Sequence, residues 1–176
     1  FKLIEIDDKY RLLRPGLTVV DLGAAPGGWS QIAAGRVGAA EGKGKVVAID
    51  LLEMGEIPGV QFAQLDFHAD DAPKRLRAML GGRADVVLSD MAANTTGHRK
   101  TDQLRIVGLV EIAAAFASEI LNPGGAFLAK VFQSGADADL LAQLKREFAS
   151  VRHVKPASSR QDSSERYVLA TRFRGG

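Results

Sequence analysis

Cysteine is absent from the 176 residues, which excludes a disulfide framework, a cysteine-ligated zinc site, an iron–sulfur cluster and thiol catalysis. The absence fits a reducing compartment, and a cytoplasmic location is expected. Histidine occurs only at His68, His98 and His153, too scattered to suggest a metal site. The carboxylates show no dense ligand spacing either, so no metal is expected. No apolar run approaches the roughly 20 residues that cross a bilayer, and no membrane association is expected. No secretory leader is evident. The chain opens on Phe1 rather than Met, which leads to the expectation that an N-terminal piece is missing or trimmed.

What is present is ordinary globular material. Hydrophobic residues make up 46% and charged residues 25%, and the length suits one domain over residues 1–176 with a core of its own. The net charge of +2 is unevenly spread. Residues 145–176 carry 8 basic and 3 acidic side chains, whereas residues 15–144 carry 11 basic and 15 acidic ones. A mildly acidic body with a basic flank can hold a cationic small molecule in one place and a polyanion in another. A solvated basic edge is the plainer alternative.

Short apolar runs alternate with longer amphipathic ones. Strands are expected at 17–22, 45–49, 60–65, 84–89, 126–132, 151–155 and 167–172, and helices at 28–37, 71–80, 101–121 and 137–148. Asp70 or Asp71 is the expected cap of the second of these helices, and Asn122-Pro123-Gly124-Gly125 the stop of the third. The alternation predicts an α/β sandwich with a mainly parallel sheet and two antiparallel final strands. Ligands of open α/β sheets sit outside the carboxyl ends of the strands. Four such ends carry informative residues here: the glycine loop from Gly23, then Asp50, Asp66 and Asp90. A fifth strand carries Lys130 in an otherwise apolar run.

The loop Asp21-Leu22-Gly23-Ala24-Ala25-Pro26-Gly27-Gly28-Trp29 joins the first strand to its helix, and its small residues admit a ligand close to the backbone. It is neither G-x-G-x-x-G nor a phosphate-binding loop ending in G-K-[ST], which disfavours a nicotinamide oxidoreductase. Asp50 can accept hydrogen bonds from the two ribose hydroxyls of a nucleoside, although it lies farther on than the dinucleotide fingerprint places its acid. Asp66 can accept from an adenine amino group. Each also has a plainer reading as a cap or turn acid, and Lys130 as a strand lysine that snorkels to the surface.

The blocks T-V-V-D-L-G-A-A-P-G-G-W-S-Q at 18–31, S-D-M-A-x-N at 89–94, K-V-F-Q at 130–133 and K-P-x-S-S-R followed by S-E-x-Y at 155–167 resemble the FtsJ (RrmJ) family of ribosomal RNA 2′-O-methyltransferases. The resemblance covers nearly the whole chain. It implies a Rossmann-like, S-adenosylmethionine-dependent methyltransferase fold: a seven-stranded, mostly parallel sheet with an antiparallel last strand and helices on both faces. It implies a catalytic set of Lys2, Asp90, Lys130 and Glu165. The implied methyl-donor contacts are Gly27, Trp29, Asp50, Asp66 and Asp90, with S-adenosylhomocysteine as product. The implied substrate is a uridine in the peptidyl-transferase A-loop of large-subunit ribosomal RNA; action within the large subunit and a monomeric enzyme are expected. Two departures are Ala93, where many relatives have Pro, and a longer 35–45 connection; neither touches a matched catalytic position.

A ribose 2′-hydroxyl is only weakly acidic, so such an enzyme must align oxygen, methyl and sulfur and help the proton leave. Lys130 is the candidate base. It must first lose its own proton, which burial, Lys2 or a sulfonium favours and which Asp90 and Glu165 oppose. The alternative is that Lys130 positions the oxygen and offsets its developing charge. Arg11, Arg14, Arg146, Arg152, Lys155, Arg160 and Arg166 are candidates for RNA phosphates. Aromatic residues, at 6%, are too few to make base stacking the obvious mode. Two further readings remain: a transferase acting on transfer RNA or an mRNA cap, and a non-catalytic ribosome-assembly module that kept the fold.

Overall fold

The fold was analysed in a computed structural model, which describes residues 2–67, 69–90, 99–131, 136, 138–156 and 166–175, without the side chains of 99–107. The elements run α1 (Lys2–Tyr10), β1 (Thr18–Leu22), α2 (Gly28–Val37), β2 (Lys45–Asp50), β3 (Val60–Gln64), α3 (Ala72–Leu80), β4 (Ala84–Ser89), α4 (Arg99–Ile120), β5 (Leu121–Val131), α5 (Ala138–Glu147), β6 (Phe148–Val154) and β7 (Arg166–Phe173). They form one seven-stranded sheet in the order β3-β2-β1-β4-β5-β7-β6. The first five strands in that order are parallel, and β7 runs antiparallel to both of its neighbours. The strand order reverses between β1 and β4, which opens a crevice at their carboxyl ends.

Strand side chains alternate between faces, and that parity sorts the core into two layers. Val20, Leu22, Val87, Phe127 and Ala129 pack with Leu76, Phe116, Ile120, Leu140 and Leu144 on the α3, α4 and α5 side. Val19, Val86, Leu88, Leu128 and Leu169 pack with Leu3, Ile6, Ala33 and Val37 on the α1 and α2 side. The same parity sends Asp21, Asp90, Lys130 and Tyr167 toward the α1 and α2 side, so the chemistry gathers on one face of the crevice.

The expected strands and helices are present, with three differences. Helix α1 is not among the expected elements, because five of its nine residues, Lys2, Glu5, Asp7, Asp8 and Lys9, carry charge. Asp71 stands at the N-cap of α3 but makes no side-chain capping bond, its place in the first turn being shared with a Pro. Strand β5 begins at Leu121, ahead of the Asn-Pro-Gly-Gly stretch. Ala84 faces Leu121 and Val86 faces Ala126, so that stretch is accommodated as a bulge within the β4–β5 ladder. Gly125 fits where a Cβ would meet the Asn122 and Asp85 carbonyl oxygens at 2.9 and 3.0 Å. Phe132, Asp137, His68 and His98 lie outside the described residues.

Helix α1 is fastened at its end by one buried acid. Asp7 Oδ1 accepts the Leu13 N–H at 2.7 Å, and Oδ2 accepts Arg36 Nη1 of α2 at 3.0 Å. Arg36 also reaches Asp8 Oδ1 at 2.9 Å. Because Asp7 is 2% exposed, replacing it strands a buried N–H and a guanidinium. Asp7→Ala is expected to lower stability by about 1–3 kcal/mol, read as an earlier midpoint in urea unfolding with unchanged slope.

Candidate active site

The short strand β4 ends at Ser89, and Asp90 follows it at the crevice, its N–H donating to the Leu22 carbonyl at 3.3 Å. Lys130 Nζ lies 3.3 Å from Asp90 Oδ1, with the two side chains 16% and 33% exposed. The contact is an ion pair to an oxygen that is itself buried. Burial pushes the Asp90 carboxyl above its ordinary range, and the charges of Lys130 and then Lys2 pull it back. Lys2, at the start of α1, therefore acts on Asp90 across the fold. Asp90 and Lys130 are in contact and the charge of Lys2 is felt at Asp90; Glu165 lies outside the described residues.

Two residues at this site carried no role in the sequence reading. Tyr167 sits opposite Lys130 in the β5–β7 ladder and is 2% exposed. Its ring lies 5.8 Å from that of Trp29, tilted by 32°. Burial and the Asp90 charge push its hydroxyl up, so it stays neutral. Asp21, within β1, is wholly buried; its Oδ2 accepts the Ser30 hydroxyl at 2.7 Å, while Oδ1 has no described partner. Its carboxyl is raised from 3.8 to about 7, mainly by burial, opposed by the Ser30 bond and reinforced by the Asp90 and Asp50 charges. The signal in the sequence was a lone acid in the run T-V-V-D-L.

The glycine loop is tied to β2. Gly23 and Ala24 donate their N–H groups to the Ile49 carbonyl at 2.8 and 3.1 Å. Asp50 Oδ2 accepts the Ala25 N–H at 2.8 Å, and Oδ1 accepts the Leu52 N–H at 2.9 Å. Each oxygen retains further acceptor capacity for a ligand. Gly27 caps α2 with φ at 116°, a left-handed conformation, and a Cβ there would fall 2.8 Å from Ile57 Cδ1 and 3.2 Å from Met54 Sδ. Leu51 and Leu52, 54% and 68% exposed, offer apolar surface beside Asp50. Asp66 is exposed just past β3, whose end is joined to β2 by the Leu65 N–H on the Asp50 carbonyl at 2.9 Å. The loop thus brings Gly27, Trp29 and Asp50 to the crevice with Asp90, and Asp66 stands one strand farther out.

The sequence model of FtsJ-like methyltransferases matches residues 1–173. The chain belongs to the FtsJ-like methyltransferase family. Among curated relatives of this family, ribosomal RNA large subunit methyltransferase E from Bradyrhizobium sp. (strain ORS 278) is 84% identical over 176 residues, the whole of this chain and 76% of that protein. A crystal structure from Plasmodium falciparum, described as a ribosomal RNA methyltransferase, superposes with a TM-score of 0.85 at 30% identity, covering 99% of this chain and 96% of that one. An rRNA-methylase structure from Clostridium thermocellum shares the fold, with a TM-score of 0.65 at 16% identity over 98% of this chain and 97% of that one. The Rossmann-like methyltransferase fold and the enzyme class are thereby those of the family.

The raised carboxyl of Asp21 makes a pH prediction. The folded chain holds this proton more tightly than the unfolded chain, so its contribution to stability is fully present below about 4 and is lost as pH rises through about 7. Asp21→Asn, which keeps an acceptor for Ser30, is expected to gain stability relative to the parent as pH rises from 4.5 to 8. Thermal unfolding across that range checks it; a pH-independent difference between the two proteins counts against it.

Proposed function

We propose that this chain transfers a methyl group from S-adenosylmethionine to a ribose 2′-hydroxyl of large-subunit ribosomal RNA, releasing S-adenosylhomocysteine. The reading extends to a uridine as the acceptor, and to a monomeric cytoplasmic enzyme acting within the large ribosomal subunit. The observation that carries the chemistry is the Lys130–Asp90 contact at the mouth of the glycine-loop crevice. The names borne by the curated relatives support the RNA and the subunit.

The residues present suit a cationic nucleoside donor. Asp21 holds a buried oxygen without a described hydrogen-bond donor, and the Asp50 and Asp90 carboxylates stand near it, which favours a ligand carrying positive charge. Gly27 keeps the loop free of a Cβ, Asp50 offers acceptors for ribose hydroxyls, and Leu51 and Leu52 offer an apolar surface for a base. Asp66 would accept from the base edge, and Trp29 would wall the acceptor side with Tyr167. When bound, the donor supplies a methyl on positively charged sulfur.

The remaining work falls to side chains. As an ammonium, Lys130 donates a hydrogen bond that fixes the 2′-oxygen and offsets the negative charge growing on it. Burial pushes the Asp90 carboxyl up and the Lys130 charge draws it back, so the contact is an ion pair in a half-dry site. In the alternative role, a Lys130 that has given up its proton takes that of the attacking hydroxyl. Lys2 contributes a positive charge felt at Asp90, and Glu165 is assigned to balancing the two lysines.

Lys130→Ala is expected to leave donor affinity within about threefold while lowering single-turnover transfer roughly 10²–10⁴-fold. The assay uses tritiated methyl donor and large subunits from cells lacking the enzyme, with the acceptor ribose mapped. Near-normal transfer by this variant overturns the assignment, and substantial activity in Lys130→Arg selects positioning over proton transfer. Gly27→Ala is expected to weaken donor binding about tenfold or more by calorimetry, because the left-handed backbone and the Ile57 contact both oppose a methyl there.

A further inference from the structure

A second concave site lies at the opposite edge of the sheet. A cavity of about 390 Å³ opens at the amino-terminal ends of β4 and β5, lined among others by Arg11, Arg14, Asp85, Gly124, Thr171 and Arg172. Resting on the reading of the chain as an RNA methyltransferase, we propose that this cavity is a distal RNA-contact site whose three arginines hold a backbone phosphate of the substrate.

Three observations point there. First, the described non-glycine residues with positive φ are Arg11 at 52° and Arg172 at 58°, and both line this cavity. Arg11 follows α1 with its N–H on the Asp7 carbonyl at 2.7 Å, a helix-ending position that glycine fills more easily. Arg172 breaks the regular backbone of β7 between Thr171 and Phe173. Side chains are rarely kept in this conformation without a use for them, and both of these are arginines that line one hollow.

Second, the charge there is not neutralised from within. Among the described residues none of the three arginines forms an ion pair, whereas Arg36 and Arg77 elsewhere do. The one acid lining the cavity is committed: Asp85 Oδ2 accepts the Thr18 N–H at 2.9 Å, and Oδ1 accepts Asn122 Nδ2 at 3.2 Å. Asp85 therefore braces the β1 start and the β5 bulge. Arginine forks with free donors match the oxygens of a phosphodiester.

Third, helix α1 joins the two sites. Lys2 at its start acts on Asp90, and Arg11 stands one residue beyond its end at Tyr10. Nine rises of about 1.5 Å separate them by roughly 14 Å. That is too far for the methylated nucleotide itself and within reach of a neighbouring stretch of a folded RNA. At the cavity end of α1, Lys9 Nζ and the Arg152 guanidinium lie 5.4 and 5.5 Å from the Tyr10 ring centre, so positive charge gathers beside Arg11. Shape and backbone recognition over such a span needs no base-specific contact.

The left-handed backbone supplies a test that does not threaten the fold. In the double variant Arg11→Gly, Arg172→Gly each change relieves a strained residue while removing a charge, so the melting temperature is expected to be unchanged or higher. Affinity of the full chain for a large-subunit rRNA fragment is expected to fall about tenfold, with the slope of log affinity against log salt shallower by about 2. Single-turnover methylation at saturating subunits, and calorimetric donor affinity, are expected to stay at the parent's values while KM rises. Unchanged RNA affinity and slope in the variant overturn the proposal. So does a loss of inorganic phosphate binding with no effect on RNA, which would assign the cavity to a free anion. If the parent binds RNA and the variant loses that affinity and slope but neither methylates it, the methyl-transfer reading fails and the distal contact stands.

Discussion

Three carboxylates, on β1, at the end of β2 and just past β4, crowd into one half-dry crevice, and their mutual repulsion constrains everything around them. The fold answers each one differently. Asp50 is held by two main-chain N–H groups. Asp90 is met by Lys130 and, through space, by Lys2. Asp21 receives one hydroxyl and keeps its proton to near-neutral pH. Concentrated carboxylates of this kind are costly in a half-dry site: burial raises Asp90, and burial with the Asp90 and Asp50 charges raises Asp21.

The sheet makes this concentration possible because parity and strand order act together. Parallel neighbours deliver their ends to one edge, and alternation turns Asp21, Asp90, Lys130 and Tyr167 to the same side. The layer beneath is apolar on both faces, which keeps water away from the bases of these side chains without closing the mouth of the crevice. Helix α1 then lies across that face, anchored by Asp7, and brings a charge from the beginning of the described chain to the middle of the sheet.

The strands were readable because each is a compact apolar run, and their informative ends because an acid follows directly: Asp50, Asp66 and Asp90. What escaped was whatever depends on a distant neighbour. Asp21 reads as an oddity in β1 until Ser30 and two other acids surround it. Tyr167 reads as one more strand aromatic until register sets it beside Lys130. Helix α1 was hidden because its apolar positions are few and its charges satisfy partners on α2. Lys2 is named only through the family resemblance, since its charge reaches Asp90 from a helix far off in the chain. The Asn-Pro-Gly-Gly stretch looked like a plain helix stop, and only the pairing of Ala84 and Val86 with β5 shows that it also opens a bulge.

Strand β7 lies between β5 and β6 although it is the last of the seven in the chain. β6 pairs only with β7, so a nascent polypeptide emerging from its own ribosome has no ladder for β6 until β7 has also been made. Lys130 likewise gains its cross-strand neighbour only at that moment. Assembly of this side of the sheet therefore waits for residues 166–173, and a product truncated before residue 166 carries the glycine loop without the strand that flanks Lys130.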